Sequence, residues 1–264
     1  MLRSIRAAVY VGSIVWFLCI VTYIALTIPP SPSRFIHLSR TFADTAGILL
    51  YITLLIGPLS YHFRANQWAA VAIKARQAVG LSVLFFSLLH SSTAFLFQLG
   101  GVAGLSYLST RYLLAFALGF DALLILVLLA VTSPEKITQW LGGRLWKVVH
   151  RMVYLIGILI FFHILLLGSR FVDLHSTVAV LSFVAVSVLW LLECRRIDVW
   201  LSGLLPKYWR LPIALFVGSL LVAATAIFMV QNKVNPYSLS GHDGHYEFEN
   251  RVGMDGVHHD DKEK

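Results

Sequence analysis

Three histidines lie inside long apolar stretches of the chain: His90, His150 and His163. An ionisable side chain within a lipid-spanning segment is costly, so its presence there points to a ligand, a relay or a paired polar group. His90 falls near the end of the apolar run 77–99. His150 opens the run 147–168, and His163 falls near the end of that run. Followed along helices of alternating direction, His90 and His163 share one depth. His150 precedes His163 by 13 residues, which is about 20 Å at about 1.5 Å per residue.

A b-type haem with two axial imidazoles needs two histidines at one height on facing helices. His90 and His163 meet that requirement, and all three histidines are candidate metal ligands. For each of them the alternative is a polar histidine satisfied by a carbonyl or hydroxyl of a neighbouring helix. On a straight helix a 13-residue step also turns by about 220°. His150 and His163 therefore face different partners unless the helix is irregular near Gly157. Asp121, in the middle of the run 111–132, suggests either proton handling or a hydrogen bond to a neighbouring helix. Asp44 reads as a helix cap.

The elements that must hold these residues are set by composition. Of 264 residues, 58% are hydrophobic and 13% charged, about half the charged share of a soluble domain. The apolar residues come in blocks of about 20, the length that crosses a bilayer as a helix. Seven spans are predicted, over 7–28, 42–63, 77–99, 111–132, 147–168, 173–192 and 211–230, separated by breakers such as Pro29, Pro30, Gly100, Gly101, Pro134, Gly142 and Pro206. The fold class is an all-α membrane protein, a transmembrane helix bundle. Arg3 and Arg6 ahead of the first run resemble a signal peptide, but the run is longer than a signal's apolar core and is read as an uncleaved span.

The net charge of +8 sits in short loops, which is a topology signal and argues against nucleic acid as a partner. The N-terminus and the loops 64–76, 133–151 and 193–210 hold 13 of the 21 lysines and arginines, while the opposite loops hold Arg34, Arg40, Arg111 and Arg170. The positive-inside rule then places the N-terminus in the cytoplasm and, with seven spans, the C-terminus outside. Six of the seven tryptophans fall on the cytoplasmic side. Cys19 and Cys194 form no CxxC and are not expected to pair. Residues 231–264 are polar and read as a disordered tail. Its His242, His245, His258 and His259 could bind a transition metal weakly or simply be solvated.

The stretches KARQAVGLSVLFFSLLHSSTAF (74–95) and LGGRLWKVVHRMVYLIGILIFFHILL (141–166) resemble the haem-bearing helices of the ferric reductase-like transmembrane family. Within it they are most similar to the haem-binding subunits of bacterial methionine sulfoxide reductase systems. The signatures are Arg76, Gly80 and His90 on one stretch, and Leu141, Trp146, His150, Arg151 and Tyr154 followed by His163 on the other. The resemblance covers about residues 42–192, which it implies are the haem-binding transmembrane core, and implies a six-helix core for the bundle. It is flanked by a first span and outer loop (1–41), an interfacial segment with a seventh span (193–230) and the tail (231–264). It further implies that His90 and His163 ligate an outer haem b and that His150 marks a second, inner position.

In two-haem relatives the third span carries a histidine where this chain has Arg76, which cannot ligate iron because it stays protonated. One haem or two therefore remain open, with the inner site absent, held by His150 alone or completed by His62. Arg76 is either a cytoplasmic anchor or a partner for a propionate or cofactor phosphate, and Arg144, Lys147 and Arg151 share that ambiguity. The flavin and nicotinamide module of the oxidase relatives has no counterpart after Arg196. The expected donor is a quinol or a separate flavoprotein, with FMN or a quinone as further cofactors. The expected acceptor is a periplasmic reductase or a metal ion at the outer face of a bacterial inner membrane, making the chain an oxidoreductase component. The competing function class is a proton-coupled transporter or channel using the histidines and Asp121. A retinal protein is excluded because 214–230 holds no lysine.

Overall fold

The computed structural model describes residues 2–63, 66–167, 181 and 184–193, and all of its regular structure there is helical. The predicted seventh span, the interfacial segment and the tail lie outside the described residues, as does much of the sixth span. Among the described residues five helices are long and apolar enough to cross a membrane.

Helix α1 (Leu2–Thr27) is apolar almost throughout and stops ahead of Pro29-Pro30. Helix α2 (Pro32–His62) begins on a proline, where the missing N–H has no helical partner to lose. Helix α3 (Gln67–Thr93) runs into a π-helical turn, Ala94–Gln98, and ends at Gly100 and Gly101, both at positive φ. After a short helix α4 (Val102–Leu105), α5 (Thr110–Val131) recrosses the bundle. Helices α6 (Glu135–Arg151) and α7 (Val153–Leu167) form the fifth span, with a turn at Met152 between them. Gly142 breaks α6 with φ 72° and ψ 151°, a left-handed φ that a residue with a Cβ seldom adopts. The shorter helix α8 (Val184–Glu193) falls on the predicted sixth span.

Helices α2 and α3 start ten residues ahead of the hydropathy-based spans at 42 and 77. Hydropathy marks only the part of a helix that meets lipid, and a helix can continue past the bilayer with polar side chains. The 31 residues of α2 reach about 46 Å, against a hydrocarbon layer of about 30 Å.

The most extensive packing joins α2 to α3 and α5 to α7, followed by α1 to α3. One buried cluster unites Leu50, Leu54, Val83, Ala122, Leu126, Val153 and Ile156 from α2, α3, α5 and α7. A second joins Ile20, Ile24, Phe42, Ala46 and Phe86 from α1, α2 and α3. Apolar burial alone drives little association in lipid, so close approach and interhelical hydrogen bonds matter more. Ala78, Ala115 and Ala122 are fully buried where helices meet. Three polar latches hold α8. The Tyr51 hydroxyl donates to the Ala185 carbonyl (3.0 Å), the Tyr154 hydroxyl donates to Glu193 Oε1 (3.0 Å), and His62 Nε2 donates to the Leu192 carbonyl (3.2 Å).

Two arginines close helix ends. Arg34 donates to the carbonyls of Ala25 and Ile28 at the end of α1, and Arg111 Nε donates to the Leu166 carbonyl (2.7 Å) at the end of α7. Both satisfy carbonyls that have no partner within their own helix.

Candidate haem pocket

Helix α3 carries His90 three residues before its end, and α7 carries His163 four residues before its end. The helices run the same way, so both histidines arrive at one end of the bundle. Their ring centres are 6.5 Å apart and their planes cross at 80°.

The hydrogen bonds fix which nitrogen each ring presents. His90 Nδ1 lies 3.0 Å from the Ser39 carbonyl and 3.1 Å from Ser39 Oγ, on α2. His163 Nδ1 lies 2.7 Å from the Ala115 carbonyl, on α5. A carbonyl only accepts, so each Nδ1 is assigned the proton and each Nε2 keeps its lone pair. An imidazole that donates through one nitrogen while offering the other is the arrangement of metal-ligating histidines. Two imidazoles across one metal, each at about 2 Å with the ring centre about 1 Å behind the nitrogen, stand about 6 Å apart. The observed 6.5 Å matches that spacing. The residues therefore fit a bis-imidazole haem.

The pocket is shaped from behind as well. Ser39 is 2% exposed and Ala115 fully buried. A Cβ built on Gly119 would lie 2.8 Å from both Cε1 and Nδ1 of His163, so the ring occupies space that any other residue would fill. Neither Ser39 nor Gly119 is visible as a site residue in the sequence. Ser39 lies ahead of the apolar run, and a single glycine in a helix carries no signal of what it faces.

His150 belongs to another layer. Its ring stacks on Trp146 at 4.1 Å and 28°, its Nδ1 lies 3.2 Å from the Trp146 carbonyl, and its Nε2 lies 3.4 Å from Ser133 Oγ. Trp146 Nε1 donates to the Thr132 carbonyl (3.2 Å), and Gln77 donates to the Ser133 carbonyl (3.0 Å), tying this layer to α3 and α5. Arg76 precedes Gln77 on α3 and so lies at about the same level. Arg151, Arg144 and Lys147 are exposed along α6. His62 is engaged with α8. The structure thus brings His90 and His163 together, sets His150 in a separate layer with Trp146 and Ser133, and gives His62 another partner. The turn between His150 and His163 falls at Met152, whereas Gly157 admits Leu54 at close range.

Asp121 is exposed on the outward side of α5. Among the described residues it forms no hydrogen bond or ion pair, so it joins no chain of polar groups with the histidines. Asp44 lies inside α2, and it is Ser31 that stands at the helix start. Among the described residues no cluster of three or more His, Cys, Asp or Glu side chains is placed to hold a metal ion.

Known proteins resemble this chain over the same helices. Residues 42–161 match the ferric reductase like transmembrane component family. The chain is 32% identical over 171 residues to the haem-binding subunit MsrQ of the protein-methionine-sulfoxide reductase of Ralstonia nicotianae, covering 61% of this chain and 72% of that one. It is 33% identical over 156 residues to the corresponding MsrQ of Pectobacterium atrosepticum, covering 58% and 72%. It is also 30% identical over 144 residues to the magnetosome protein MamZ of Magnetospirillum gryphiswaldense, covering 53% of this chain and 21% of that protein. No solved structure matches.

Proposed function

Since the chain belongs to the ferric reductase-like transmembrane family, with MsrQ haem-binding subunits among its relatives, we propose that it carries electrons across a bacterial inner membrane through haem b held by His90 and His163. The observation that carries this reading is the pair of imidazoles 6.5 Å apart, each with Nδ1 engaged and Nε2 free. Bound haem supplies a one-electron Fe(III)/Fe(II) couple. The chain contributes orientation: Ser39 holds the His90 ring and Ala115 the His163 ring.

The pocket lies within about one turn of the helix ends, and the loop charges assign that end to the outer face. Electrons would leave there to an acceptor, for which a periplasmic methionine sulfoxide reductase is the first candidate on the names of the relatives, and a metal ion the second. They would enter from a quinol or a flavoprotein at the cytoplasmic side, where the layer of His150, Trp146 and Arg76 lies. That layer is the candidate second cofactor position, for a second haem, FMN or a quinone. Arg76 and Arg151 supply fixed positive charge there for a propionate or phosphate.

The test is a pyridine haemochrome assay per polypeptide on purified protein, with wild type, His90→Ala and His163→Ala compared. Wild type is expected to hold low-spin haem b, and each substitution to abolish the low-spin signal. A wild-type chain that stays colourless after haem-supplemented expression refutes the reading.

A further inference from the structure

Helix α5 meets His163 at two points one turn apart, and Gly119 is the less obvious of them. Within α5 the Ala115 carbonyl already faces the N–H of Gly119, its i→i+4 donor. His163 Nδ1 reaches the same oxygen from the side, at 2.7 Å. A carbonyl oxygen has two lone pairs and can take both donors, but the side chain one turn on ordinarily screens it. At Gly119 there is no such side chain, and the imidazole occupies the gap. A Cβ there would stand 2.8 Å from Nδ1 and Cε1, closer than a Cβ approaches any neighbouring heavy atom. The ring could not yield without losing the Ala115 bond, because the atom that clashes is the atom that donates.

We propose that Gly119 is a positioning residue for the His163 ligand: its missing side chain opens the Ala115 carbonyl to Nδ1–H and thereby aims Nε2 at the iron. The inference rests on the bis-histidine reading and deepens it. Gly119 itself touches no reacting atom. It sets the direction of the ligand's lone pair and lets the carbonyl strengthen the imidazole as a donor. Loss of such a supporting contact typically lowers metal affinity by about 10- to 100-fold.

The experiment uses the full chain in detergent or nanodiscs, as wild type, Gly119→Ala, His163→Ala and Gly47→Ala. Gly47 also lies within a helix, but a Cβ there meets nothing within 4 Å, so it reports the general effect of a helical glycine-to-alanine change. Haem release to a scavenging apoprotein, the spin state and the response to added imidazole are measured. Gly119→Ala is expected to release haem about 10- to 100-fold faster and to turn partly high-spin. Imidazole is expected to restore its low-spin spectrum, because the site survives and only the ligand is misaimed. Gly47→Ala is expected to match wild type.

Unchanged release and spectrum in Gly119→Ala overturn the inference while leaving the haem reading intact. Haem loss that imidazole cannot restore also overturns it, marking Gly119 as a packing residue only. A wild type without haem, or a His163→Ala variant still fully low-spin, removes the reading underneath and the inference with it.

Discussion

Ser39→Ala separates the contribution of a hydroxyl from that of a backbone. His90 Nδ1 faces two acceptors on the same residue, the Ser39 carbonyl at 3.0 Å and Oγ at 3.1 Å. The substitution removes the second and keeps the first. A buried hydrogen bond is worth about 0.5–1.5 kcal/mol net, and about 1.4 kcal/mol is tenfold in an equilibrium constant. Haem affinity should therefore fall by about two- to tenfold, with the spectrum still low-spin. The sign of the redox change follows from the same bond. An acceptor at Nδ1–H makes the imidazole a stronger donor and favours ferric iron, so its loss should raise the reduction potential. Taking about 1.5 kcal/mol as the upper bound, the rise is at most about 65 mV for a one-electron couple. Haem titration into the apoprotein and a spectroelectrochemical titration read both quantities. A fall in potential, or haem loss as complete as that of His90→Ala, would refute the assignment of Ser39 as a supporting acceptor.

His150→Ala should leave the low-spin signal of the His90–His163 site intact, because its ring is engaged with Trp146 and Ser133 in another layer; loss of that signal would show that the layers are not independent. If two haems per chain are found, His150→Ala should lower the count to one in the haemochrome assay. Tyr154→Phe removes one of three latches on α8 and should cost about 0.6 kcal/mol, the usual worth of an interhelical bond in lipid, read as a small drop in thermal stability with the haem spectrum unchanged. Arg111→Ala frees the Leu166 carbonyl three residues beyond His163 and should cost about 1 kcal/mol, with faster haem release as the accompanying readout.

The histidine pair was legible in the sequence because depth in a membrane helix can be counted from its ends. Residue type and position suffice for that, with no knowledge of neighbours. The rotation between His150 and His163 left two outcomes open, and the two rings do face different partners; the turn between them sits at Met152, which has no breaker character, whereas Gly157 lets Leu54 approach. Ser39 was hidden because hydropathy ends a span where polar residues begin, although the backbone of α2 continues outward to Pro32. Gly119 was hidden because its role is an absence, meaningful only beside a ring from another helix. Asp121 was expected to relay protons or to bond a neighbouring helix, and it faces outward instead. Periodicity could not show this, since its helix is apolar all round.

Each candidate ligand histidine is steadied by its own packing neighbour, His90 by α2 and His163 by α5, and among the described residues α2–α3 and α5–α7 are the most closely packed helix pairs. The brace for each ring thus belongs to a unit that can form without the other. During biogenesis the α2–α3 hairpin would present His90 already aimed, before the second ligand has left the ribosome. The α5–α7 pair would do the same for His163 later. Haem bound between the two rings would then reinforce the packing that already joins α2 and α3 to α5 and α7, and a chain truncated before α7 would lack His163 and with it the second imidazole.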